Sequence, residues 1–414
     1  MIRQHVQSIL ALLTMGLAIT AGADAATIQA ANCSQTAVQS AINRALTGDT
    51  VRVPAGTCTW AAPVSIPANR KIVLQGEGVN STVITVSPAG EAVNSSQSGS
   101  RITGFAFNGG YVTVDGDGWR VDSCRFYNPS AFNEGVVVSG QREARHPTGL
   151  VDHCSFLNAR VLVVGWAGLV AHALWAQPLG LGTVNGVVYV EDCTFVGTVH
   201  SNAIDANYGG RYVFRYNTVT DTYVEAHSVQ GNNRAARRWE IYHNTFNQVS
   251  RAMWVPTFLR GGTGVVFDNV LTGSWTDARI ALDNVRSCVS SDTSGRCDGS
   301  SPWDGNQAGG NGYPCRDQIG RSADSSLWTA GRPYPPQAHD PAYAWNNKYG
   351  TNDVVFFQHN CAQSAARIQP GRDYYDNVQR PGYAPYPYPH PLVQGWSPAA
   401  ISPPENLHVV EVTP

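Results

Sequence analysis

The sequence predicts an all-β protein: a right-handed parallel β-helix, or solenoid, with an N-terminal capping helix and an irregular C-terminal tail. Three observations carry that expectation. The first is a repeat. Val121-Asp122-Ser123-Cys124-Arg125-Phe126, Val151-Asp152-His153-Cys154-Ser155-Phe156, Val190-Glu191-Asp192-Cys193-Thr194-Phe195, Phe214-Arg215-Tyr216-Asn217-Thr218-Val219, Ile241-Tyr242-His243-Asn244-Thr245-Phe246 and Val266-Phe267-Asp268-Asn269-Val270-Leu271 align on one another. Each has Cys or Asn three positions after an apolar residue, and Phe, Val or Leu two further on. A spacing in the mid-twenties, lengthened once, is how a solenoid is written in sequence. The second is composition: 414 residues with 14% charged, 41 Gly, 3 Met and recurrent β-branched and aromatic runs favour strands and tight turns. The third is a second ladder, Ala203, Ala226, Ala252 and Ala278, spaced 23, 26 and 26 residues apart inside expected strands.

In chain order, residues 1–25 read as a secretory signal peptide. Met1-Ile2-Arg3 is basic, Ile9 to Ile19 is apolar, and Ala23-Asp24-Ala25 is a small-x-small cleavage site. Residues 26–62 hold a capping helix and the first strand. Val38, Ile42 and Ala45 share a face from Ser34 to Leu46, Ser34 caps the start and Gly48 ends it. A lid of this kind covers the apolar end that a solenoid leaves open. Coils are expected over 63–286, with an insertion near 161–186 that lengthens one of them. Beyond Arg286 the period fades, and 287–414, rich in Gly, Pro and Tyr, is expected to fold onto the coils and cover their far end.

Nine cysteines divide into two sets. Cys124, Cys154 and Cys193 share the key repeat position and are expected to stack inward as small apolar side chains. The remaining six suit pairing in an oxidising compartment: Cys33 with Cys58 and Cys288 with Cys297 close short loops, leaving Cys315 and Cys361, although sequence leaves the connectivity open. None has the spacing of a zinc site. Asn217, Asn244 and Asn269 can bond amide to amide along the stack.

Gly48-Asp49-Thr50-Val51-Arg52-Val53-Pro54-Ala55-Gly56 after a helix, together with the Asn-x-Phe coils, resembles the pectin-lyase-like right-handed parallel β-helix superfamily over roughly residues 30–285. Gly312-Tyr313-Pro314-Cys315-Arg316-Asp317 and Gly371-Arg372-Asp373-Tyr374-Tyr375 are similar to segments of secreted bacterial β-helix proteins of unassigned role. The resemblance implies a fold that hosts polysaccharide lyases, glycoside hydrolases and adhesins. No motif of its catalytic families is present, so it implies no catalytic residue.

The chemistry therefore comes from geometry. If the alanine ladder points inward, its neighbours point outward from one sheet. One column is then Asn202, Glu225, Arg251 and Asp277, extended by Glu134; the other is Ile204, His227, Met253 and Arg279, with His200 and Asp205 flanking their strand. Such a stripe suits an acidic polysaccharide and its cleavage by β-elimination. Arg251 and Arg279 neutralise the uronate carboxylate, and His227 serves as base. Glu225 orients His227 or, with Asp277, holds Ca²⁺; no other cofactor is called for. The bland counterpart is a solvated ladder in which Arg251 pairs with Glu225 and Asp277.

A second reading is hydrolysis by Glu225 and Asp277, two coils or about 9.6 Å apart, near the upper end for an inverting pair. The cation between them opposes it. A third is a non-catalytic glycan-binding or structural protein gripping sugar with Trp166, Trp175, Trp254 and Trp275, although tryptophan in a core is commoner. A net charge of −2 gives no reason to expect nucleic acid as partner. No membrane span is expected, and the chain reads as an exported monomer, periplasmic or extracellular in a bacterium. Arg234-Ala235-Ala236-Arg237-Arg238 reads as a solvated basic loop, and His153 and His243 as bend residues.

Overall fold

The bend in each repeat is where the winding originates. The computed structural model describes residues 25–68, 70–95, 99–129, 133–140, 146–164, 180–199, 201–228, 234–250, 253–283, 317–323, 337–359 and 367–395. The residue before each key position has a left-handed backbone: Ser123, His153, Asp192, Tyr216, His243, Asp268 and also Asn346, with φ between 52° and 56°. Asp, Asn and His tolerate that conformation better than most side chains. It ends one strand and turns the chain into the next, so every coil adds a strand to each of the same sheets.

Three parallel sheets result. The first has twelve strands, from Thr27–Gln29 through Asp117–Asp122, Thr148–Asp152, Val188–Glu191, Arg211–Arg215, Arg238–Tyr242 and Thr263–Phe267 to Ala342–Trp345 and Tyr374–Asp376. After the bend, the second sheet stacks Arg125–Tyr127, Ser155–Leu157, Thr194–Val196, Thr218–Thr220, Thr245–Gln248, Val270–Gly273 and Lys348–Tyr349. The third stacks Asn133–Ser139, Ala159–Val164, Asn202–Asn207, Tyr223–Ala226, Thr257–Leu259, Ile280–Leu282 and Phe356–Gln358.

Side chains repeated in sequence touch in space. Phe107, Phe126, Phe156 and Phe195 stack through the core at 5.5, 5.0 and 4.5 Å between ring centres. Cys124, Cys154 and Cys193 are buried free thiols, and burial pushes those of Cys124 and Cys154 well above the usual thiol range. Below them runs the amide ladder. The Asn217, Asn244 and Asn269 backbone N–H groups donate to the Oδ1 of Asn244, Asn269 and Asn347 at 2.9, 3.0 and 3.1 Å. A buried bend otherwise leaves these groups unpaired, at about 1–3 kcal/mol each.

The helix spans Gln35–Arg44 with Ser34 as N-cap, and it buries Val38, Ala41 and Ile42. It packs on strands Thr27–Gln29, Thr50–Arg52, Gly56–Trp60 and Val64–Ser65. Cys33 is bonded to Cys58 across this first coil. Cys288, Cys297, Cys315 and Cys361, the expected signal segment up to residue 24, and Trp166 and Trp175 lie outside the described residues.

Four expectations need correction. Ala203 and Ala226 are both buried, but they are not register partners: Ile204 pairs with Val224, and Ala226 with Leu259. The inward column is Val163, Ala206, Ala226, Leu259 and Leu282. Ala278 precedes its strand, and Ala252 lies outside the described residues. The connections into the third sheet differ in length from coil to coil, so spacing counted across them does not preserve register. Nor do strands stop at 286. Ala342–Trp345, Lys348–Tyr349 and Phe356–Gln358 add to all three sheets, with Asn347 in the key position 78 residues after Asn269. An excursion of that length hides the period.

The segment Arg380–Val393 also does not cover the far end. It runs back along the outer face of the first sheet: Tyr383 meets Phe267 and Trp345, Tyr386 meets Tyr189, and Arg120 donates to the carbonyl of Leu392. Lastly, Arg234, Arg237 and Arg238 are buried rather than solvated. Arg234 pairs with Asp317 and Arg238 with Glu240.

Candidate functional site

The outward face of the third sheet gathers the polar side chains. Ile204 opposite Val224 sets Asp205 beside Glu225; beyond Glu225 the same column continues through Phe258, Ala281 and Phe357. The backbone N–H groups of His227 and Arg260 donate to the carbonyls of Ala206 and Ala226. That continuation of the ladder makes Asn207, His227 and Arg260 a second column. Residues two apart on a strand face the same side, so both columns share one surface.

Asp205 and His227 form a dyad. The imidazole Nδ1 is 3.1 Å from Asp205 Oδ2 and 3.2 Å from Oδ1. Asp205 is almost fully buried, whereas the His227 side chain is 20% exposed, so the carboxylate lies behind the ring and the ring faces solvent. Burial alone pushes the Asp205 carboxyl up. The hydrogen bond and charge of His227, with Arg160 and Arg260, outweigh burial and hold it below its ordinary value.

Glu225 is held from several sides. Asn202 Nδ2 donates to its Oε2 at 2.6 Å, Tyr223 Oη lies 3.3 Å from the same oxygen, and Arg260 pairs with Oε1. Burial, with the Glu225 charge, pushes the Tyr223 phenol far above its usual range, so it stays protonated. Arg260 Nη2 is also 2.9 Å from His227 Nδ1 and 3.1 Å from its Nε2. On the other flank, Arg160 reaches Asn202 Oδ1 at 3.2 Å, Asp205 Oδ2 at 3.5 Å and Glu134 Oε1 at 3.1 Å.

Of the residues singled out in the sequence, Glu134, Asn202, Asp205, Glu225 and His227 meet in this one cluster. Asp277 and Arg279 pair with each other at 2.8 and 2.7 Å, and Arg279 stands over Phe357. His200 and Arg251 lie outside the described residues. Sequence reasoning missed Arg160, Tyr223 and Arg260. Arg260 belongs to the coil that the mistaken ladder assigned through Ala252, and correct strand pairing alone would have found it.

Calcium does not fit the pair expected to hold it, because both Asp277 oxygens accept from Arg279. Ligand atoms of Asp205, Glu225 and His227 do lie within 4.8 Å of one another. The Arg260 guanidinium, however, already contacts Glu225 and His227 there, placing positive charge where a hard cation would need oxygens.

No family model and no curated protein matches the chain. Among solved structures it is similar to the alginate lyase from Paenibacillus sp. str. FPU-7, at 13% identity and a TM-score of 0.43 over 80% of this chain and 97% of that one. It is also similar to the catalytic domain of a GH87 alpha-1,3-glucanase in complex with tetrasaccharides, at 12% identity and a TM-score of 0.37 over 86% and 68%. At these identities and TM-scores neither likeness assigns a family, a substrate or a reaction.

Proposed function

We propose that this chain is an exported polysaccharide lyase that cleaves an acidic, uronate-containing polymer by β-elimination on a right-handed, pectin-lyase-like β-helix. The observation that carries the reading is the Asp205–His227 dyad with Arg160 and Arg260 around it. Asp205 accepts the Nδ1 proton and leaves Nε2 as the basic nitrogen. A substrate carboxylate draws the guanidinium of Arg260 in bidentate fashion and so frees Nε2. Nε2 then takes the proton on the carbon beside that carboxylate. The electron pair left behind forms the carbon–carbon double bond, the bond to the glycosidic oxygen breaks, and that oxygen recovers the proton from Nε2. Arg260 and Arg160 neutralise the charge that builds on the carboxylate.

Hydrolysis by Asp205 and Glu225 is disfavoured by the same contacts. A general acid needs a raised pKa, whereas the Asp205 carboxyl is held below its ordinary value. Export is supported by the Cys33–Cys58 bond; among the described residues no helix is long and apolar enough to cross a membrane.

The test is incubation with a panel of uronate polysaccharides, followed by the ultraviolet absorbance of the unsaturated product. The protein should generate it, and His227→Ala should abolish it with the thermal midpoint nearly unchanged. Reducing ends without that absorbance would replace elimination with hydrolysis. Binding with neither signal would make the chain a lectin.

A further inference from the structure

Beyond Glu225, the same outward column turns from polar to aromatic. Phe258 is the register partner of Glu225, Ala281 follows it and Phe357 follows Ala281. With only a methyl group at Ala281, rings from the coils on either side lean together. Trp254 lies 4.9 Å from Phe258 and 4.4 Å from His359 between ring centres, and Phe258 and His359 are 5.8 Å apart. Phe357 joins at 6.1 Å. None of the four rings belongs to the buried core, and each is partly open to solvent. An apolar patch on an outer face, rimmed by polar groups, is a place where a ligand can dock.

Two cations bracket the rings. Arg260 lies 4.9 Å over Phe258 while its other side contacts Glu225, and Arg279 lies 4.1 Å over Phe357. Aromatic faces suit the C–H faces of pyranose rings, and guanidinium groups suit carboxylates. Successive coils rise by about 4.8 Å, close to the span of one sugar unit, so a glycan lying along the axis meets a new coil with each residue.

We propose that Trp254, Phe258, Phe357 and His359 form a stacking subsite for the non-reacting uronate units of the polymer cut at His227. The chain then runs from the dyad toward the C-terminal coils, with Arg279 at the far end holding a carboxylate. This rests on the lyase reading for its choice of glycan, but its test is binding and does not depend on turnover.

Fluorescence titration of His227→Ala with uronate oligosaccharides, from disaccharide to hexasaccharide, reads the subsite as the difference from the same titration with Trp254→Phe added, because the chain has 11 tryptophans. Affinity should climb with length, and the emission should shift as the longer ligands bind, by less once Trp254→Phe is added. Adding Phe357→Ala should weaken hexasaccharide binding about tenfold, the scale of one lost aromatic contact with its buried area. Phe357→Tyr should restore it, which separates stacking from a damaged fold. Equal affinity for all lengths, an unchanged hexasaccharide affinity in Phe357→Ala, or no binding of any uronate ligand would each overturn the subsite. Length-dependent binding by a protein that never yields unsaturated product would uphold the subsite and remove the lyase reading alone.

Discussion

Asp205 Oδ2 stands 3.1 Å from His227 Nδ1, although the two residues are 22 positions apart and belong to successive coils. The carboxylate is buried and the ring is not, so Nδ1 faces inward while Nε2 lies 3.1 Å from Arg260 Nη2. Asp205→Asn keeps the shape and removes the charge. Turnover should fall about a hundredfold or more with little change in KM, and Asp205→Glu should recover part of it. Steady-state kinetics on the polymer that gives the unsaturated product provide the check; an unchanged kcat in Asp205→Asn would show that the dyad has no catalytic role.

The C-terminal strap should confer acid sensitivity through His390. Its backbone N–H donates to Glu191 at 2.8 Å, and its Nδ1 accepts from the Leu392 N–H at 3.1 Å, which requires a neutral ring. Burial, with the charges of Arg215 and Arg120, lowers its pKa from the ordinary 6.5 to about 3. Between those values the unfolded chain binds a proton that the folded one excludes. Stability is therefore fully present above the unfolded value and lost as pH falls through the window, by at most about 1.4 kcal/mol per pH unit from this group. His390→Phe should flatten that slope in midpoint-against-pH curves, even if it lowers the midpoint near neutrality.

Breaking the amide ladder should be costly far from the dyad. Asn244 Oδ1 accepts from both the backbone N–H and the side-chain amide of Asn217, and its own amide donates to Phe214, Tyr242 and Asn269. Asn244→Ala leaves buried donors without acceptors and should destabilise by about 3 kcal/mol. A thermal midpoint equal to that of the unaltered chain would mean that the neighbouring coils had re-paired.

Reduction of the Cys33–Cys58 bond should loosen the N-terminal coil without touching the dyad. Its residues are 25 apart, and releasing a loop of that size removes about 3 kcal/mol. A reductant should lower the thermal midpoint while ligand binding at moderate temperature persists; an unshifted midpoint would show that the helix and first strands hold the coil without the bond.

Much of the winding was legible in the chain. The Cys/Asn position and the Phe, Val or Leu two further on appear at every coil from 124 to 269, because each bend imposes the same backbone and the same buried neighbours. His153 and His243 are bend residues for that reason, and the three buried cysteines and the amide ladder follow from it. The first disulfide was also within reach, since a short loop between two cysteines needs no knowledge of the rest. Glu134, Asn202, Asp205, Glu225 and His227, singled out around the alanine ladder, do lie in one cluster, although that ladder had the register wrong.

Register across the third sheet was decided only in three dimensions. The alanines that recur at 203 and 226 are both inward, yet hydrogen bonding pairs Ala226 with Leu259 and so brings Arg260, rather than a residue counted off by spacing, against Glu225 and His227. Connections of unequal length erase that information from the sequence. The coils after the long excursion, the strap along the first sheet and the rings that gather around Trp254 were hidden for the same reason. A repeat records which environment a residue enters, whereas backbone pairing between coils determines which residues meet there.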